Sequence, residues 1–154
     1  ALLLERIQPG DAAPPPGARE AADLLQALHV SPPPGLRALA DVARERLAIA
    51  AAEGRARHKV DWALARIEEL EQEAPPAVLL HGDLGGRNLL SCRRRGLAAV
   101  DPLPCAGDPA YDAGTWAQAE GRPGRRARTT EIAEAMGLPL ERVRGWCAVV
   151  AVHG

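Results

Sequence analysis

The sequence predicts a single α+β domain, mostly helical. Three observations predict it. Amphipathic runs with helical spacing fill the first half, short apolar runs bounded by turn residues follow, and helical patterns return at the end, with no internal repeat. At 154 residues, 47% hydrophobic and 25% charged, the chain is long and apolar enough to bury a core.

Taken in order, residues 9–17, PGDAAPPPG, read as a Pro/Gly linker. AREAADLLQALH then sets Ala21, Ala22, Leu24, Leu25 and Leu28 on one helical face, and SPPPG at 31–35 ends that helix. A second helix is expected from Leu36 to about Ala52. A third is expected from about Val60 to Glu73, with Val60, Leu64, Ile67 and Leu70 as its inward stripe and APP at 74–76 as its stop. AVLLH, NLLS and LAAV read as strands, the last two joined as a hairpin through CRRRG. After DPLPCAGDP come a short helix near 110–118, a loop EGRPGRRAR, a helix ending at Met136-Gly137, and a last helix entered through Pro139. Trp62, Trp116 and Trp146 fit helix faces as core residues.

Charge and cysteine usage narrow the function classes. A net charge of -1 gives no whole-chain case for nucleic acid or an anionic membrane surface as partner. Cys92, Cys105 and Cys147 are odd in number and contain no C-x-x-C pair, which argues against a disulfide framework or a structural zinc site and favours a reducing compartment. The opening ALLLERI is too short for a signal segment, and no stretch approaches the ~20 apolar residues of a membrane span. A cytoplasmic protein is the expectation.

The chemistry concentrates in LLHGDLGGRNLL, residues 79–90. Asp83 and Asn88 have the spacing D-x-x-x-x-N, and Asp101 follows thirteen residues after Asn88 at the end of an apolar run. Phosphoryl transfer needs such a set: one carboxylate to accept the proton of the attacking hydroxyl, and an amide oxygen with a second carboxylate to hold magnesium. Asn88 suits the metal because a carbonyl oxygen is a hard ligand that adds no charge beside the phosphates, and Asp101 because carboxylates are the usual protein ligands of magnesium. Gly85 and Gly86 allow the loop to turn tightly. His81 in H-x-D also suggests a metal-dependent hydrolase, but His29, His58 and His153 lie in unrelated segments, so a hydrogen bond holding the loop is the expected role. The arginines of RPGRRAR are read as a solvated loop rather than a phosphate site.

LLHGDLGGRNLL, AVDPLPCAGDPAYDAGTW and the opening LLLERI together resemble the carboxy-terminal lobe of the aminoglycoside phosphotransferases, in particular the streptomycin 6-kinase and hydroxyurea phosphotransferase branch. The resemblance implies the large lobe of a protein-kinase-like fold and ATP-dependent phosphorylation of a hydroxyl on a small antibiotic. By motif position it implies Asp83 as catalytic base, Asn88 and Asp101 as Mg2+ ligands, and Asp108 and Asp112 as braces of the loop backbone. It divides the chain into a hinge strand (1–8), the linker (9–17), a helical substrate-side region (18–76), the catalytic loop and metal hairpin (77–112) and C-terminal helices (113–154) that stop short of the family's usual end.

The sequence also departs from that pattern between Trp116 and Thr129, a segment shorter than the family's, within the catalytic loop, and upstream of it. The residues between Asp83 and Asn88 are Leu84, Gly85, Gly86 and Arg87, and the arginine would either repel the metal or reach a phosphate. Lys59, the single lysine, lies at the start of a helix and no G-x-G-x-x-G occurs, so the small nucleotide-binding lobe is expected to be absent. A fragment that has lost catalysis but still binds the small molecule is the rival expectation. The apolar opening strand, left without that lobe, predicts self-association. Asp61, Glu68 and Glu69 are read either as attracting a cationic drug or as a solvated helix face.

Overall fold

The computed structural model describes residues 7–119 and 124–154, and the expected hinge strand lies largely outside them. Six helices and five short strands occur among the described residues, in the order helices, strands, helices. The first strand was not expected. Pro9–Ala12, β1, pairs antiparallel with Leu89–Cys92, β3, in the register Pro9 to Cys92 and Ala12 to Leu90. The Pro/Gly texture that suggested a linker fits an edge strand, since a proline at the first position gives up no interior ladder bond.

Ala18–Leu28, α1, buries Ala21, Ala22 and Leu25, while Leu24 and Leu28 are only partly covered. Leu39–Ala52, α2, starts three residues later than the periodicity suggests. Residues 37 and 38 are engaged elsewhere: the Ala106 amide donates to the Arg37 carbonyl at 2.9 Å, and Ala38 bridges Ala106 in parallel. Arg57–Gln72, α3, buries Val60, Ala63, Ile67 and Leu70, so the inward stripe runs through Ala63 rather than Leu64. Trp62 is 49% exposed and is not core, whereas Trp116 and Trp146 are buried.

Two small sheets carry the middle of the chain. β3 and Gly96–Ala99, β4, form the expected hairpin from Leu89 opposite Ala99 to Cys92 opposite Gly96, in the strand order β1-β3-β4. Val78–Leu80, β2, pairs antiparallel with Cys105–Gly107, β5, a strand hidden in DPLPCAGDP. β5 packs close to α2, where a Cβ on Gly107 would stand 2.4 Å from the Leu39 Cβ.

Ala110–Ala119, α4, is buried from Ala110 to Ala117 and forms the centre of the domain. Arg125–Met136, α5, takes in residues 125–128 of the expected loop and ends at Gly137, whose φ of +67 is the left-handed stop glycine supplies. Leu140–His153, α6, turns Val143, Trp146, Val149 and Val150 inward. It crosses α4 at Gly114, where a Cβ would lie 2.7 Å from the Cys147 amide nitrogen, and Tyr111 meets Trp146 edge to face at 5.4 Å. One hydrophobic cluster joins all six helices with both small sheets.

Candidate active site

The loop from His81 to Asn88 leaves the end of β2 and enters β3. Its first two amides end in the core, where an unpaired N–H is costly. The Asp112 carboxylate on α4 accepts both, from His81 at 2.8 Å and Gly82 at 2.9 Å, and is itself fully buried. His29, just past α1, places Nε2 3.1 Å from the same carboxylate. Gly82 has φ +78, and a Cβ there would meet the Leu103 carbonyl at 2.1 Å, so the middle residue of H-G-D must be glycine.

His81 is a loop brace in this geometry. Its Nδ1 accepts the Asp83 amide at 3.3 Å and its Nε2 donates to the Val100 carbonyl at 3.1 Å, a pair of contacts that places the ring proton on Nε2. Leu84 is fully buried and pins the loop beyond Asp83. The Gly86–Asn88 stretch closes as a 3-10 turn, with the Asn88 amide on the Gly85 carbonyl at 2.9 Å.

Asp83 is 23% exposed in its side chain and surrounded by donors. The Asn88 Nδ2 donates to the Asp83 carbonyl at 2.8 Å and to Oδ2 at 3.2 Å. Arg87 Nη2 donates to Oδ2 at 3.0 Å, so Arg87 folds back on the aspartate. Arg46 of α2 places Nη2 3.9 Å from Oδ1 and donates through Nη1 to the Tyr111 hydroxyl at 3.1 Å. Burial pushes the Tyr111 phenol up to about 12, against the pull of Arg46, and it remains a hydroxyl.

Asn88 and Asp101 lie at the same end of the β3–β4 hairpin. The Val100 amide donates to the Asn88 carbonyl at 2.9 Å, which extends the ladder by one step and sets Asp101 next in line. Asp101 is exposed and holds φ +54, a left-handed conformation that an aspartate tolerates but rarely adopts. The Asn88 amide nitrogen is committed to Asp83. Among the described residues no group of three or more His, Cys, Asp or Glu could hold a metal alone. Two hard oxygen donors fit magnesium, which commonly takes one or two protein ligands and completes its shell with water and phosphate oxygens.

Asp108 serves a different place from the one expected. Its Oδ1 accepts the Ala110 amide at 2.9 Å, and its Oδ2 accepts Trp146 Nε1 at 2.7 Å and Arg142 Nε. It therefore ties the start of α4 to α6, and of the two aspartates Asp112 is the one that accepts loop amides. His29 and Arg46 escaped the sequence reading. Arg46 did leave a signal, a cation on the stripe of Ala43, Leu47 and Ala50 that α2 turns inward; His29 left none, because its partner lies 83 residues away. The three cysteines are free and buried, and burial, with Asp112 adding to it, raises the Cys105 thiol to about 11.

A sequence profile of the family described as aminoglycoside/hydroxyurea antibiotic resistance kinase matches residues 1–154. A streptomycin 6-kinase of Streptomyces glaucescens is 35% identical over 97 residues, covering 56% of this chain and 30% of that protein. Among solved structures, a choline kinase from Streptococcus pneumoniae superposes with a TM-score of 0.61 at 14% identity, over 97% of this chain and 60% of its own. An aminoglycoside-3'-phosphotransferase of type VIII gives 0.59 at 21% identity, over 95% and 66%. The chain thus spans less than two thirds of each of these relatives, and the structural likenesses establish a kinase-like fold. With the profile running from the first residue to the last, the chain belongs to the aminoglycoside/hydroxyurea antibiotic resistance kinase family.

Proposed function

We propose that this chain carries the acceptor and metal half of an ATP-dependent phosphotransferase acting on a hydroxyl of a small antibiotic. The observation that carries the reading is the position of Asp83, on a loop whose backbone is fixed by the buried Asp112 and whose far end enters the hairpin where Asn88 pairs with Val100, next to Asp101. Asp83 would accept the hydroxyl proton through Oδ1 or Oδ2 while the Asn88 amide holds the carboxylate in orientation. Asn88 Oδ1 and the Asp101 carboxylate would hold Mg2+, which supplies charge neutralisation at the transferring phosphoryl group. The base, the metal ligands and the loop support are thereby divided among different side chains, as positioning-dominated catalysis requires.

A second reading is that the 154-residue stretch by itself binds the small molecule without turnover. The single lysine, Lys59, is exposed on α3 and lies on no strand, so it supplies no strand lysine for nucleotide phosphates. Mass spectrometry of streptomycin and hydroxyurea incubated with Mg-ATP and the 154-residue chain separates the two readings. Turnover that falls by about 10²–10⁴-fold in Asp83→Asn supports the kinase. Turnover indifferent to Asp83→Asn would remove Asp83 as base, and no product with either compound favours the binding protein.

A further inference from the structure

Away from Asp83 the molecule has a second concave site that the proposed reaction does not use. The first turns of α5 and the middle of α6 border a cavity of about 340 Å³, lined by Arg125, Arg126 and Thr129 from one helix and Arg144, Cys147 and Ala148 from the other. Three guanidinium groups from two helices thus share one space. RPGRRAR, expected as a solvated loop, is helical from Arg125 onward, and its double arginine faces this cavity.

Little on the protein offsets that charge. No carboxylate among the described residues lines the cavity. Arg125 donates through Nη1 to the neutral Gln118 Oε1 at 3.1 Å, and Arg126 forms no ion pair among the described residues. Arg144 pairs with Glu141, but both side chains are exposed, where such a pair is weak. Glu131 and Glu134, the other acids of α5 and α6, are exposed and stay outside the lining. Burial pushes the Cys147 thiol up, so it supplies no thiolate near neutral pH. Positions 120–123, outside the described residues, hold one acid and one base, Glu120 and Arg122, and so leave the local balance unchanged.

Like charges gathered without a counter-charge repel, and a bound anion relieves that repulsion. Shape narrows the choice of anion. A carboxylate accepts guanidinium pairs in its own plane, whereas the tetrahedral oxygens of a phosphoryl group accept from several directions, as guanidinium groups on two separate helices require. The volume lies at the small end of ligand pockets and suits a compact molecule rather than a polymer. We propose that this cavity is a binding site for a compact phosphate-bearing anion, held by Arg125, Arg126 and Arg144 and separate from the acceptor site. Gln118 marks the boundary between the two, since it holds Arg125 and also lines a cleft of about 500 Å³ that opens beside Asp83, Gly85 and Gly86. The assignment stands whether or not Asp83 is a base.

The test uses the ¹⁵N-labelled 154-residue chain, freed of divalent metal and titrated with pyrophosphate, following the Thr129 and Ala148 amides against those of Gly85 and Gly86. The Thr129 and Ala148 amides should shift together and saturate, with an affinity that falls at least about tenfold between about 20 mM and about 300 mM salt. Citrate, a carboxylate of comparable charge, should need about tenfold more ligand. Arg126→Gln/Arg144→Gln, which alters two exposed side chains, should weaken pyrophosphate at least about tenfold. Unmoved Thr129 and Ala148 amides, larger shifts at Gly85 and Gly86, or undiminished binding by the double variant would each overturn the proposal. Citrate binding as tightly as pyrophosphate would overturn the phosphate chemistry, and tighter binding of a single-stranded RNA oligonucleotide would make this a nucleic-acid face instead.

Discussion

Single side chains divide the work of this site unevenly between charge and support. Asp83 keeps some solvent access, whereas the group that shapes its loop, Asp112, has none. His153 shows what such burial does to pH response. Its Nε2 is buried with no hydrogen-bond partner among the described residues, and desolvation lowers the imidazole from 6.5 to about 4. The unfolded chain takes up this proton below about pH 6.5, while the folded chain resists it until about pH 4. Stability should therefore be intact above that window and fall as pH drops through it, by on the order of 2 kcal/mol from this residue. Urea midpoints of the wild type and His153→Leu at about pH 7 and about pH 4.5 check this, and the variant should lose less on acidification.

Among the elements, the α4–α6 crossing carries the most structural consequence. Gly114 lets α6 approach so closely that a Cβ would meet the backbone at Cys147, and Asp108 fastens the same pair through Arg142 and Trp146. Because Asp112 sits two residues before Gly114 on α4, spreading the helices would move the anchor of the loop. Gly114→Val should cost about 2–4 kcal/mol by overpacking against backbone that cannot yield. A melting temperature lowered by less than a few degrees, with the Asp83 loop amides unshifted, would show that the crossing tolerates the side chain. The short strands act differently: β2 and β5 run only three residues each, and because they are antiparallel His81 and Asp108 leave opposite ends of the ladder.

At the scale of the whole molecule, the parts legible in the sequence were those whose pattern is local. The six helices follow from apolar spacing and from stops such as SPPPG and Gly137, and the β3–β4 hairpin from two apolar runs around CRRRG. β1 and β5 were not legible, since each is a short stretch rich in proline, glycine or alanine that becomes a strand only because a partner offers its edge. The loop itself was legible: Asp83, Asn88 and Asp101 share a motif, and the expected hairpin sets Asn88 and Asp101 at one end. His29 and the true partners of Asp108 were invisible, and Arg46 showed only as a cation on the inward stripe of α2, because those contacts span 34 to 83 residues and depend on how helices pack. Trp62 failed for the opposite reason, an aromatic at a plausible helical position that packing left outside.

The buried carboxylate of Asp112 also sets a clock. An amide whose hydrogen is held by a fully buried acceptor is released to solvent only when the surrounding structure opens, whereas an amide at a cleft surface is released by small local motions. The His81 and Gly82 amides, both on Asp112, should exchange with deuterium on the timescale of global unfolding, and those of Gly86 and Arg87 should exchange orders of magnitude sooner. Comparable lifetimes at the two ends would mean that the loop breathes as one piece. Otherwise the loop has a slow root and a quick lip, and a small molecule entering the cleft meets motion only where it has to be admitted.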